Sequence, residues 1–255
     1  MSYRRGEVLS GPHRVVVTGA GIVTSMGYGW QENAIGFREG RTALRPITVF
    51  DSSRQRVHTG GEVLMDQPLP KVRLTARQIS RLDRATLLLL HAGTEAMKQA
   101  GWSEDQMTDV PICLGTSAGA MSLGECYYKQ KTQQAGSQRG LAKWVLGYQP
   151  QTQAQHLAEA VGLKGPVSVI TNACASGANA IGHGFHLIKG GRARRAFCGG
   201  YDAIAEMVFA GFDSLQALST TTPRPFAADR DGLALGEGAA LVTLERLDDA
   251  LARGA

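Results

Sequence analysis

The chain alternates short β-branched runs with longer stretches of helical spacing. Residues 14–18 form a β-branched run ending in Gly19-Ala-Gly21, which predicts a strand entering a turn. Residues 30–39 predict a helix, with Gly40 just past its end. Residues 41–72 are rich in turn formers and predict an irregular excursion. Over 75–99, Leu82, Thr86, Leu89 and Leu90 share one side of a predicted helix that Gly101 would stop. Residues 110–115 read as a buried strand, and 120–150, polar and aromatic, as an insertion outside the core. A helix over 151–161 closes at Gly162, followed by a strand at 167–170 and a helix at 178–188. Strands at 196–200 and 239–244 and a short helix from Asp248 complete the pattern, and residues 1–13 read as a loose leader. Strands alternating with helices predict an α/β fold: a mainly parallel sheet covered on both faces.

The segment between the strand at 167–170 and the helix after it carries the most chemistry. Cys174 lies there in a turn of small residues, Ala173, Ala175, Ser176 and Gly177. A cysteine just before a helix sits in the positive end of the helix dipole, a field that favours the nucleophilic thiolate. The small neighbours leave room for a substrate, the layout of an activated nucleophile at a strand-to-helix elbow. The same position also suits a buried structural cysteine, since free cysteine is among the most buried residue types.

Composition narrows the class. A chain of 255 residues with 43% hydrophobic content can bury a sizeable core. No apolar run is long enough to span a membrane, and no apolar segment follows Met-Ser-Tyr-Arg-Arg, so neither a membrane anchor nor a secretory leader is expected. Cys113, Cys126, Cys174 and Cys198 show neither zinc spacing nor a disulfide framework, which fits a reducing, cytoplasmic setting without a metal. The net charge of +5 is modest, which argues against a nucleic-acid partner. Gly19-Ala-Gly-Ile-Val-Thr lacks the third glycine of a dinucleotide fingerprint, and no acidic residue follows at the expected place.

Thr171-Asn-Ala-Cys-Ala-Ser-Gly177 resembles the nucleophile motif of the β-ketoacyl synthases of the thiolase fold. Leu218-Ser-Thr, Arg224-Pro-Phe226, Asp229-Arg-Asp-Gly232 and Leu235-Gly-Glu-Gly-Ala239 resemble further blocks of that family, as do Val15-Val-Val-Thr-Gly-Ala-Gly-Ile-Val-Thr24 and Leu114-Gly-Thr-Ser-Ala-Gly119. The blocks stand in the family's order over 14–255. The resemblance implies a layered α/β/α half of a duplicated fold, with a mainly parallel five-stranded sheet. It makes 14–255 the N-terminal ketosynthase half-domain and gives 120–150 a dimer-contact role. It implies the condensing chemistry of type II fatty-acid and polyketide synthesis: Cys174 accepts an acyl chain from acyl carrier protein and passes it to a malonyl unit. No metal or organic cofactor is implied, because phosphopantetheine arrives on the carrier protein.

The family's two catalytic histidines belong to its second half, in motifs like His-Gly-Thr and Gly-His that this sequence lacks. The histidines here are His13, His58, His91, His156, His183 and His186. His183 lies nine residues along the helix from Cys174, roughly 13 Å at about 1.5 Å per residue, whereas proton transfer needs about 3 Å. A second polypeptide carrying the C-terminal half is therefore expected as partner. Such assemblies are expected to associate further, through the strand next to the nucleophile strand. Two other readings share the resemblance. One is a non-catalytic partner like the chain-length factors, which usually lack the cysteine. The other is a thiolase-type acyltransferase, against which the Arg224-Pro-Phe and Asp229-Arg-Asp-Gly blocks speak.

Three further features carry functional expectations. The resemblance puts Ala118 at the mouth of the acyl tunnel, where many synthases carry isoleucine, so the tunnel should admit longer chains; a plain glycine-rich turn is the simpler reading. It makes Phe212 a gating aromatic, where core packing is the simpler reading. Arg73, Arg77, Arg81 and Arg84 recur at helical spacing and would share one face. Arg77 and Arg81 match positions where related synthases carry lysine, and such a face would steer an acidic carrier protein. Gln216 stands where many carry arginine.

Overall fold

The computed structural model describes residues 12–133 and 140–255; the expected leader lies almost wholly outside them. In chain order the elements are β1 (Val15–Thr24), β2 (Gly27–Tyr28), α1 (Gly29–Arg38), β3 (Arg45–Pro46), β4 (Thr59–Gly60), α2 (Ala76–Ile79) and α3 (Arg84–Ala100). After a short 3-10 turn come β5 (Ile112–Gly115), α4 (Met121–Gln133), α5 (Ala142–Tyr148), α6 (Pro150–Val161), β6 (Val167–Ile170) and α7 (Ser176–Lys189). The chain closes with β7 (Arg195–Asp202), α8 (Glu206–Ser214), β8 (Gly238–Arg246) and α9 (Leu247–Ala252).

The main sheet runs β2-β1-β8-β7-β5-β6. β5 pairs parallel with β6 and β7, while β8 pairs antiparallel with both β7 and β1. Four of the five long strands thus point one way and β8 alone runs against them, a mixed sheet with a parallel majority. The period-two alternation of strands divides the core. Ile112, Leu114 and Phe197 face one side and pack with Leu88, Leu89 and Leu157 of α3 and α6. Cys113, Ala196 and Cys198 face the other and pack with Ala180, Leu187 and Ile188 of α7. The layers are α3 with α6, the sheet, and α7.

Several elements depart from the sequence expectation for identifiable reasons. The predicted helix over 75–99 is two helices. Thr75 caps α2 in a capping box with Gln78, and buried Asp83 caps α3 by accepting from the Thr86 N–H at 3.0 Å. Two N-caps eight residues apart restart the helix between them. β1 runs on through Gly19-Ala-Gly21 to Thr24. A Cβ on Gly19 would stand 2.8 Å from the Ala100 nitrogen and one on Gly21 would stand 2.8 Å from the Ala96 nitrogen. These glycines let α3 lie close on the strand. The expected insertion over 120–150 holds two helices, and 134–139 lie outside the described residues. β5, the strand next to β6, is paired on both sides and has no free edge, so it cannot be the pairing strand expected for further association; the sheet's outer strands are β2 and β6.

Candidate active site around Cys174

The main chain turns sharply after β6. Ala173 adopts φ +46°, a left-handed conformation that non-glycine residues rarely hold and that must be imposed by its surroundings. Buried Ser176, the first residue of α7, imposes it. Its hydroxyl donates to the Ala173 carbonyl at 2.7 Å and accepts from the Asn172 N–H at 2.7 Å. Cys174, at the crest, is exposed, whereas Cys113 and Cys198 are buried. The structural-cysteine reading therefore fits Cys113 and Cys198 and not Cys174.

Two glycines let α7 start this close to the sheet. A Cβ on Gly115 would overlap the Ser176 carbonyl, and one on Gly200 would lie 2.9 Å from Gly177 Cα. The result is a cavity of about 330 Å³ at the end of the sheet, walled by Thr24, Gly115, Cys174, Gly200, Asp202 and Glu237 among others. No histidine lines it. His183 and His186 lie farther along α7, and His91 stacks edge-on against Tyr28, where burial lowers its pKa. Among the described residues no cluster of His, Cys, Asp or Glu could hold a metal ion, and no helix is long and apolar enough to cross a membrane.

Two carboxylates shape the cavity. Buried Glu237 accepts from the Val63 N–H at 2.8 Å and the Ile204 N–H at 3.1 Å and pairs with Arg84. It thereby ties β8, α3 and two loops together. Asp202, at the end of β7, accepts from the loop of residues 116–119, and Ser117 of that loop donates to the Ala173 carbonyl at 3.1 Å. The sequence reading missed both roles. Glu237 stood inside the Leu235-Gly-Glu-Gly-Ala239 block, but nothing local marks Asp202. Its partners are more than eighty residues away.

The other site residues fall in separate places. Ala118 is half-buried in the 116–119 loop; it neighbours the Cys174 turn through Ser117 but does not itself line the Cys174 cavity. Phe212 lies on α8, half-buried against a cluster of Ile47, Ile204, Phe209 and Leu218, and also does not line that cavity. Arg77 on α2 and Arg81 in the turn after it are exposed. The expected four-arginine face does not form, because the helix breaks between them. Arg84 turns inward to Glu237, and Arg73 pairs with Glu104 at 2.8 Å.

An α/β/α half whose Cys174 turn follows the sheet's edge strand β6 defines a thiolase-like ketosynthase fold. The chain belongs to the β-ketoacyl synthase family: the model for the beta-ketoacyl synthase N-terminal domain matches residues 13–250. It is 35% identical over 252 residues to a 3-oxoacyl-[acyl-carrier-protein] synthase 2 of Synechocystis, a match covering 95% of this chain and 60% of that protein. It is 34% identical over 258 residues to the tetracenomycin polyketide synthase ketoacyl synthase alpha subunit of Streptomyces glaucescens, with the same coverage of 95% and 60%. The solved ishigamide ketosynthase/chain length factor superposes with a TM-score of 0.88 at 31% identity, covering 96% of this chain and 61% of that one. The chain thus spans about three fifths of the length of these relatives.

Proposed function

We propose that this chain is the cysteine-bearing half of a β-ketoacyl synthase, with Cys174 as the acyl acceptor. The observation that carries the reading is the exposed cysteine at a strained turn between β6 and α7, facing an open cavity. The Cys174 thiolate attacks the thioester carbon of an acyl carrier protein. The carbon–sulfur bond to phosphopantetheine breaks, and the departing thiolate takes up a proton. Among the described residues nothing accepts a hydrogen bond from the Cys174 N–H, so that group is available to an oxyanion. A malonyl unit on a second carrier protein then loses carbon dioxide. Its α-carbon attacks the acyl carbon, and the Cys174 thiolate leaves.

Proton handling and decarboxylation fall to the two histidines of the family's second half, on a partner polypeptide or a continuation of the chain. The outer face of α7 suits such a half: Ala178, Ile181, Gly182 and Phe185 share one helical side, and Ile181 is 36% exposed. The free edge of β6 suits further association of two assemblies. Ala118 and Phe212 belong to the acyl tunnel in this reading, and Arg77 and Arg81 to the carrier-protein docking face. No cofactor beyond the carrier's own phosphopantetheine is needed.

The test is intact-protein mass spectrometry after incubation with acyl-carrier protein. Acyl mass on Cys174, lost in Cys174→Ala and retained in Cys113→Ser and Cys198→Ser, supports the reading. No adduct at Cys174 with the second half present refutes it and favours a chain-length-factor role. Acylation from coenzyme A but not from carrier protein favours a thiolase.

A further inference from the structure

We propose that Asp202 is a positioning residue for Cys174: from the end of β7 it locks the 116–119 loop, and through that loop it fixes the nucleophile turn. The proposal rests on the reading of Cys174 as the acyl acceptor. One carboxylate oxygen of Asp202 accepts four hydrogen bonds. They come from the Thr116 hydroxyl at 2.6 Å and from the backbone N–H groups of Ser117 at 3.1 Å, Ala118 at 2.8 Å and Gly119 at 2.6 Å. Three consecutive N–H groups turned to one point form a small anion nest, here filled by the chain's own carboxylate. Hydrogen bonds to an ionised acceptor are about twice as strong as neutral ones.

The lock is passed on by Ser117. Its hydroxyl lies 3.1 Å from the Ala173 carbonyl and 3.1 Å from the Ser176 hydroxyl, the two groups that hold the left-handed turn before Cys174. Asp202 is also one of the residues that line the Cys174 cavity, so this device belongs to the site and not to the distant core. The chain from Asp202 to Ser117 to Ala173 joins three elements that no local sequence relates. It also has a consequence for catalysis. The N–H groups of 117–119 are spent on Asp202, so this glycine-rich loop cannot donate to the oxyanion. Apart from the Cys174 N–H, the oxyanion donor must come from elsewhere. What the loop contributes instead is the placement of Ala118 and of the sulfur.

Asp202→Asn keeps the shape and removes the charge. In the assembly of this chain with the second ketosynthase half, two rates at Cys174 separate positioning from reactivity. Transfer of an acyl group from carrier protein demands exact geometry and should slow by about tenfold, within the range a sub-ångström misplacement produces. Alkylation by iodoacetamide demands only an accessible thiolate. Removing a negative charge from the cavity favours the thiolate, so alkylation should be as fast as in the wild type or faster. Thr116→Val removes one of the four bonds and leaves the charge; it should slow acyl transfer in the same direction by a smaller factor. Amide hydrogen exchange at 117–119 should quicken in Asp202→Asn. Unchanged acyl transfer in Asp202→Asn overturns the proposal, and so does an equal loss of both rates, which would mean general damage. If the wild-type assembly is itself never acylated at Cys174, the reading of Cys174 fails and the role of Asp202 falls with it. Acylation in the wild type with no split in the variant fails Asp202 alone.

Discussion

Gly115→Ala tests whether the approach of α7 to the sheet builds the site. Gly115 ends β5, and a Cβ there would overlap the backbone carbonyl of Ser176 and the Gly177 nitrogen. The clash is with main chain, so no side-chain rotation relieves it. Restoring van der Waals distance requires the start of α7 to retreat by about 1 Å or β5 to bend. Overpacking of this kind costs about 1–3 kcal/mol. For a domain of this size that lowers the melting temperature by roughly 2–12 °C. The functional loss should be larger in proportion, because Ser176 holds the Ala173 turn and a misplacement of about 1 Å costs roughly a hundredfold in rate. Gly200→Ala should show a milder version, its nearest new contact being Gly177 Cα at 2.9 Å. Gly182→Ala is the control. It lies in the same helix with nothing within 4 Å of the added methyl, and should stabilise the isolated chain by about 0.5–1 kcal/mol. The assays are thermal unfolding by circular dichroism and acyl loading of Cys174 by mass spectrometry. If Gly115→Ala melts and loads like the wild type, the glycine contact does not position Cys174.

Four other outcomes are expected. Glu245 is fully buried; burial works to raise its pKa, but the Arg253 and Arg195 guanidiniums beside it hold it below the usual carboxylate range. Glu245→Gln should therefore cost about 3 kcal/mol near neutral pH, a gap that closes as acid protonates the wild-type carboxylate below about pH 4 in denaturant titrations. Ile181→Glu, on the outer face of α7, should change the stability of this chain by no more than about 0.5 kcal/mol yet block condensation restored by a separately added second half. Reversing Arg77 and Arg81 together to glutamate should raise KM for carrier-bound substrate several-fold and spare a small pantetheine thioester, with the wild-type rate falling as salt is added. Ala118→Ile should shorten the longest acyl chain loaded without affecting short ones, read as acyl-enzyme yield against chain length.

How much was legible in the sequence follows from the range of the forces involved. The strands and helices carried by local periodicity were readable: β6, α6 with its Gly162 stop at φ +81°, and α7 all fall within two residues of expectation. Helix punctuation was harder. Asp83 reads as an ordinary polar residue inside a helical pattern until its burial and its bond to Thr86 make it a cap. α8 (Glu206–Ser214) was not anticipated, because its apolar side meets Phe50, Ile47 and Leu218 only through the fold. The antiparallel β8 could not be read either. A strand buried on both faces shows the same apolar run whichever way it points.

The site divides the same way. The exposed turn that carries Cys174 was legible because its signal is local: a strand, small residues and a helix in immediate succession. Asp202 and Glu237 were not, because each acts by gathering backbone N–H groups from segments far off in the chain. The arginine stripe is the instructive failure. Spacing of four, four and three predicts a shared face only if the helix is continuous, and the cap at Asp83 breaks it. Arg84 is thereby taken from the surface into the pair with Glu237, and Arg77 and Arg81 are left as the exposed remainder. A buried carboxylate that accepts two backbone N–H groups needs a nearby cation, and α3 supplies it only by beginning at residue 84. The helix break that spoils the stripe is thus the same feature that completes the wall of the Cys174 cavity.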